Sequence, residues 1–185
     1  MEISALSVLL VWSTATALVV ALVAFAIDLS RQAEHRSAPA FTAATAIAAP
    51  RRAAGIGLAT TWLATALLVV AIVLRGVAAG RTPWSNMYEF TLVRTCASLL
   101  AFVLLNLRRD ARFLGTFVTG IATLFLVLAV NAFYTPATGL FPALQSYWLV
   151  IHVGVAVGAA GIFTVSFLTS SLQLLRDSRD SGGAI

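Results

Sequence analysis

The sequence has no lysine: its twelve permanently cationic side chains are all Arg, set against seven Asp and Glu, and charged residues are only 10% of the 185. A soluble domain carries about 25% charged residues, so this chain cannot clothe itself in water. Hydrophobic residues reach 60%, which identifies an integral membrane protein. Cysteine is nearly absent. Cys96 alone permits no internal disulfide and no multi-cysteine zinc site, and without a C-x-x-C-H the chain carries no covalent c-type haem of its own. A Gly-rich phosphate loop, paired carboxylates, H-E-x-x-H and a Ser nucleophile elbow are also missing, so soluble enzyme chemistry has no visible site. The net charge of +5 does not point to nucleic acid, because the arginines gather at the edges of apolar runs, where a bilayer places them.

Those runs set the architecture. A helix crossing about 30 Å of hydrocarbon needs roughly 20 apolar residues, with every backbone group paired internally. Residues 1–27 form a first span, since Glu2 replaces a basic leader and the uncharged run is too long for a signal-peptide core. Residues 55–74 form the second. Residues 88–107 form a third, interrupted by Glu89 and Arg94. The uncharged stretch from Phe113 to Leu175 is too long for one crossing, and Asn131, Pro136, Gly139 and Pro142 divide it into spans at 113–130 and 147–175. The expectation is an all-α, polytopic transmembrane helical bundle of about five spans. Loops at 28–54 and 108–112 and the tail at 176–185 carry nine Arg, against two in the alternate loops at 75–87 and 131–146. Arg-rich loops resist translocation, which predicts the N-terminus outside and the C-terminus cytoplasmic. No internal repeat is visible, and the tail RDSRDSGGAI reads as solvated and flexible.

Few residues could carry chemistry. His152 lies just inside the fifth span, beyond the interfacial pair Tyr147 and Trp148. It could ligate haem iron or relay a proton, or be an interfacial histidine bonded to a neighbouring helix. Gly154 and Gly158 form a G-x-x-x-G suited to close helix packing. His35 falls on the opposite side of the membrane, a solvated residue between Glu34 and Arg36. The segment Thr82 to Glu89, TPWSNMYE, is a turn in which Ser85 or Asn86 caps the third helix, Glu89 suits its first-turn dipole, and Trp84 and Tyr88 sit in the aromatic belt. The same groups could line an outer cavity. Arg94 is expected to snorkel or to face an anion, Glu89 is not well placed to pair with it, and Cys96 reads as packing filler.

Two motifs carry a resemblance: PWSNMYEF, Pro83 to Phe90, and FPALQSYWLVIHV, Phe141 to Val153. Together they resemble the CcsA/ResC type of haem-handling membrane protein in system II cytochrome c biogenesis. That family has an N-x-Y-E segment before one span and an L-Q-S-x-W-L-x-x-H-V segment whose histidine is an external haem ligand. The resemblance implies His152 as an axial ligand to haem b iron, with Trp84, Tyr88 and Arg94 shaping the pocket. It also implies a CcsB/ResB-type membrane partner, apocytochrome c as the acceptor, and a bacterial plasma membrane. The family continues into a tryptophan-rich haem-binding segment and a second external histidine, whereas the four Trp here are scattered. The chain is therefore expected to be the N-terminal portion of such a protein, with its second axial ligand supplied from elsewhere and no attachment activity alone. The rival readings are a small-molecule transporter using Glu89 and Arg94, and a structural membrane subunit.

Overall fold

A computed structural model describes residues 2–37, 51–137 and 146–182. Five long helices account for nearly all of them: α1 (Ile3–Ser37), α2 (Arg52–Ala79), α3 (Met87–Arg108), α4 (Gly115–Ala132, entered through a 3-10 turn at Arg112–Leu114) and α5 (Tyr147–Gly182). All five are long and apolar enough to cross a membrane. Among the described residues there is no strand, as an all-α membrane architecture requires.

The helices overrun the predicted spans. Asp28 to Ser37, expected in a loop, continues α1, and the tail expected to be flexible stays helical to Gly182. Both extensions lack Pro and Gly until Gly182, and the first carries Arg, Gln, Ala and Glu, good helix formers that prolong the helix beyond the apolar run.

Local chemistry ends the helices where the site is built. Gly80 closes α2 in the left-handed region at φ +61°, and the Arg81 N–H returns to the Gly76 carbonyl at 3.2 Å. Asn86, extended at φ −134°, caps α3: its Oδ1 accepts the Glu89 N–H at 2.8 Å. Within the helices, Thr61, Thr65, Thr95 and Thr119 each donate at 2.7 Å to the carbonyl four residues back, so none is left unpaired in an apolar medium.

Packing is organised around two seams. In the first, α1 lies along α2 and also meets α4. Phe25 fills the cleft there: its ring lies 2.6 Å from where a Cβ on Gly115 would stand and 3.0 Å from one on Gly57, and it meets Phe102 edge-on at 6.0 Å. In the second seam, α3 carries α5. The Ser98 hydroxyl donates to the Gly161 carbonyl at 3.1 Å, and a Cβ on Gly161 would come within 2.4 Å of the Ala97 Cβ. The close-approach glycine is therefore Gly161. Of the expected pair, a Cβ on Gly154 would stand 3.6 Å from the Trp84 indole, and Gly158 faces open space because the seam lies about 60° further round the helix. Helix α5 is the outermost, burying the smallest share of its apolar window.

Charges gather at the two ends of the bundle. At one, Arg51 pairs with Asp28 at 2.6 Å and with Asp110 at 3.0 Å, tying the start of α2 to α1 and to the α3–α4 turn. The hydrogen bond to Asp28 is the main reason the Arg51 pKa stands above its ordinary value, with burial opposing it. Arg75, Arg81 and Glu89 form the other charged cluster.

Candidate functional site at the Arg75–Glu89 end

The last turns of α2 and the first turn of α3 converge across the capped loop from Gly80 to Asn86, and Glu89 is the focus. Its carboxylate accepts from Arg75 Nε at 3.2 Å, from Arg81 Nη1 at 2.7 Å and Nη2 at 3.2 Å, and from the Ser85 backbone N–H at 3.1 Å. Glu89 and Arg75 are both fully buried. Arg75 Nη2 also donates to the Thr135 carbonyl beyond α4, and its guanidinium stands 5.0 Å from the Tyr88 ring centroid and 6.0 Å from that of Tyr134. Tyr88 and Tyr134 meet edge-on at 5.4 Å. One carboxylate thus joins α2, the loop, α3 and the segment after α4. Such a cluster survives in low dielectric because each charge is paired and most lone pairs are filled. Two donors are the exceptions: Arg75 Nη1 and the Tyr88 hydroxyl are buried without a partner.

The loop held by Glu89 carries Trp84, whose indole reaches Gly154 on α5. His152 lies two residues earlier but points the other way. Nine residues separate it from Gly161, about 180° around the helix, so it is opposite the seam with α3. It is exposed, on the side that also carries the exposed Trp148 and Val155, and its imidazole has no hydrogen bond among the described residues.

The predicted site residues therefore separate into groups. Trp84 and Tyr88 lie together on the loop and first turn of α3, with Tyr88 fully buried against Arg75. Arg94 does not join them. Its guanidinium lies 4.0 Å over the Phe125 ring of α4, a face that stabilises a desolvated cation, with Nε buried and unpaired. Cys96 is buried among core side chains. His35 falls in the last turn of α1, where side chains lie outside the described residues, as does the motif stretch from Phe141 to Gln145. Arg75, Arg81 and Tyr134 had not been singled out. A signal did exist, since apart from Glu2 at the terminus Glu89 is the only carboxylate on its side of the predicted topology, and two arginines share that side.

Comparison with known proteins fits this arrangement. The family described as Cytochrome C assembly protein matches residues 84–181, more than half of the chain and every residue from Trp84 through His152. The chain belongs to this family. Among curated relatives, the cytochrome c biogenesis protein CcsA of Chlorella vulgaris is 36% identical over 108 residues, covering 56% of this chain and 34% of that protein. CcsA of Prochlorococcus marinus is 31% identical over 125 residues, covering 64% and 38%. Protein NrfI of Wolinella succinogenes is 32% identical over 114 residues, covering 61% and 12%. The chain spans well under half the length of the CcsA proteins it matches. The match begins inside the loop, so it takes in Glu89 but neither of the arginines that bind it.

Proposed function

We propose that this multi-pass membrane protein works in cytochrome c biogenesis, contributing part of a site that holds haem b for attachment to apocytochrome c. Haem is the substrate here, and His152 supplies one axial ligand to its iron. The observation that carries the reading is the exposed imidazole at the head of α5, without a hydrogen bond among the described residues and inside the stretch matched by the cytochrome c assembly family. A neutral imidazole nitrogen with no competing hydrogen bond is a ready iron ligand. Trp84, packed against α5 at Gly154, and the buried Tyr88 support the helix from the side away from His152, and the Arg75–Glu89–Arg81 cluster acts as a positioning device for their loop.

The orientation is N-terminus outside, with Arg51, Asp110 and Arg112 at the cytoplasmic end and Glu89 at the outer end, in the plasma membrane of a bacterium. The excess of Arg in the loops at 28–54 and 108–112 and in the tail supports it. His152 lies on a face of α5 that no described helix covers, so the second ligand and the far wall come from outside these five helices, with a CcsB/ResB-type membrane protein as partner. The transporter reading loses support, because Glu89 is saturated by two arginines and Arg94 rests on Phe125.

The test is haem retention through purification. His152→Ala is expected to lose haem relative to the parent, His35→Ala to retain it, and added imidazole to restore part of the loss by filling the vacated position. Equal retention in both variants would remove His152 from the site.

A further inference from the structure

At the end of the bundle opposite Glu89, a cavity of about 450 Å³ opens between α1, α4 and α5. It exists because α5 leans on α3 and barely touches α4, leaving a wedge below the Ser98–Gly161 seam. Leu29, Phe113, Phe117 and Leu172 make its apolar floor, and Arg176 and Arg179 stand at its rim. The two arginines are three residues apart, about 60° around the helix, so both guanidiniums overhang one opening. Neither has a salt bridge among the described residues. Of the α1 carboxylates near this end, Asp28 is already committed to Arg51 and Gln32, and the exposed Glu34 makes no salt bridge among the described residues. Asp177 lies about 100° around α5 from Arg176.

We propose that this cavity is a binding site for an anionic phospholipid, its phosphate held by Arg176 and Arg179 and an acyl chain lying on Phe113, Phe117 and Leu172. The occupant follows from charge complementarity joined to shape. Two cations without a salt bridge among the described residues call for an anion, and an apolar floor calls for a chain attached to it. Inorganic phosphate would leave the floor bare. Haem is also an amphipathic anion, but among the described residues no His, Cys, Met or Tyr lines the cavity to ligate its iron. The site is independent of the haem reading, since it involves neither His152 nor the Glu89 cluster.

Native mass spectrometry of the full chain in nonionic detergent, with equimolar phosphatidylglycerol and phosphatidylcholine, tests the assignment. Two arginines near a phosphate predict a preference of roughly 10- to 30-fold for the phosphatidylglycerol adduct. Arg176→Gln/Arg179→Gln is expected to reduce that preference to about twofold or less, while Arg108→Gln/Arg109→Gln, at the same end but away from the cavity, keeps it. Leu172→Trp, which fills the floor with both arginines in place, is expected to weaken phosphatidylglycerol binding several-fold. Loss of preference in the Arg108/Arg109 control would assign the effect to a diffuse positive surface and overturn the site. So would a preference that survives Arg176→Gln/Arg179→Gln, unchanged binding in Leu172→Trp, or displacement of the lipid by added haem.

Discussion

Replacing Glu89 by Gln changes almost nothing in shape and removes the charge on which four segments converge. In the parent, the carboxylate accepts four hydrogen bonds, three of them from guanidinium groups. A glutamine retains one acceptor oxygen and turns an NH2 group toward N–H donors, so at least one guanidinium loses its partner. Arg81 is partly exposed and can turn to water, but Arg75 is fully buried and cannot. Breaking one side of a buried ion pair costs about 3–5 kcal/mol, mostly the penalty of a stranded charge. For a chain of this length that predicts a fall in melting temperature of roughly 6–20 °C, read by circular dichroism in detergent. The double variant Arg75→Met/Glu89→Gln removes the stranded cation along with its partner, and replacing a buried pair by apolar packing is often neutral. It is therefore expected to be more stable than Glu89→Gln alone. A single variant within about 1 kcal/mol of the parent, or a double variant less stable than the single, would refute the idea that this pairing holds the loop together.

Gly161→Ala is expected to destabilise by about 1–3 kcal/mol in the same assay, because its methyl group meets the Ala97 Cβ, while Gly158→Ala should be close to neutral. Arg94→Met keeps the aliphatic contact with Phe125 and removes a buried, unpaired Nε, so it should be no less stable than the parent, unlike a variant that breaks a true ion pair. A periplasm-active reporter fused after Asp110 should be silent and one fused after Pro136 active; the reverse would place His152 on the cytoplasmic side.

Much of the fold was legible because lipid imposes a simple grammar: a run of about twenty apolar residues has few options besides a helix. The cap was readable to within one residue, Ser85 or Asn86, and the structure uses Asn86, three residues before an acidic first-turn residue. The rest depended on which face each side chain takes. Arg75 and Glu89 are 14 residues apart, and nothing in the sequence says that the loop between them folds back to bring them within 3.2 Å. Gly154 and Gly158 have the familiar spacing, yet the seam runs through Gly161, because the partner surface offered by Ala97 and Ser98 lies round the helix from Gly158. For Arg94 the sequence displays the charge, expected to snorkel or to face an anion, whereas the ring it lies over is on another helix, 31 positions along the chain. For His152, the motif was legible, but not that it would stand on a side of α5 that no described helix covers.

The wedge made by Phe25 turns three distant positions into a single unit of substitution. Positions 57 and 115 can gain a side chain only if position 25 gives one up, because ring atoms already stand 3.0 Å and 2.6 Å from where the new carbons would go. A change at one of the three is thus penalised until another compensates. Phe25→Ala would forfeit about 3–5 kcal/mol of packing alone, yet it could be partly repaired by Gly115→Ala, a substitution damaging in any other background. Among related sequences, residue volumes at these three positions should rise and fall in opposition, and a library randomising all three together should recover functional combinations that stepwise mutation never reaches.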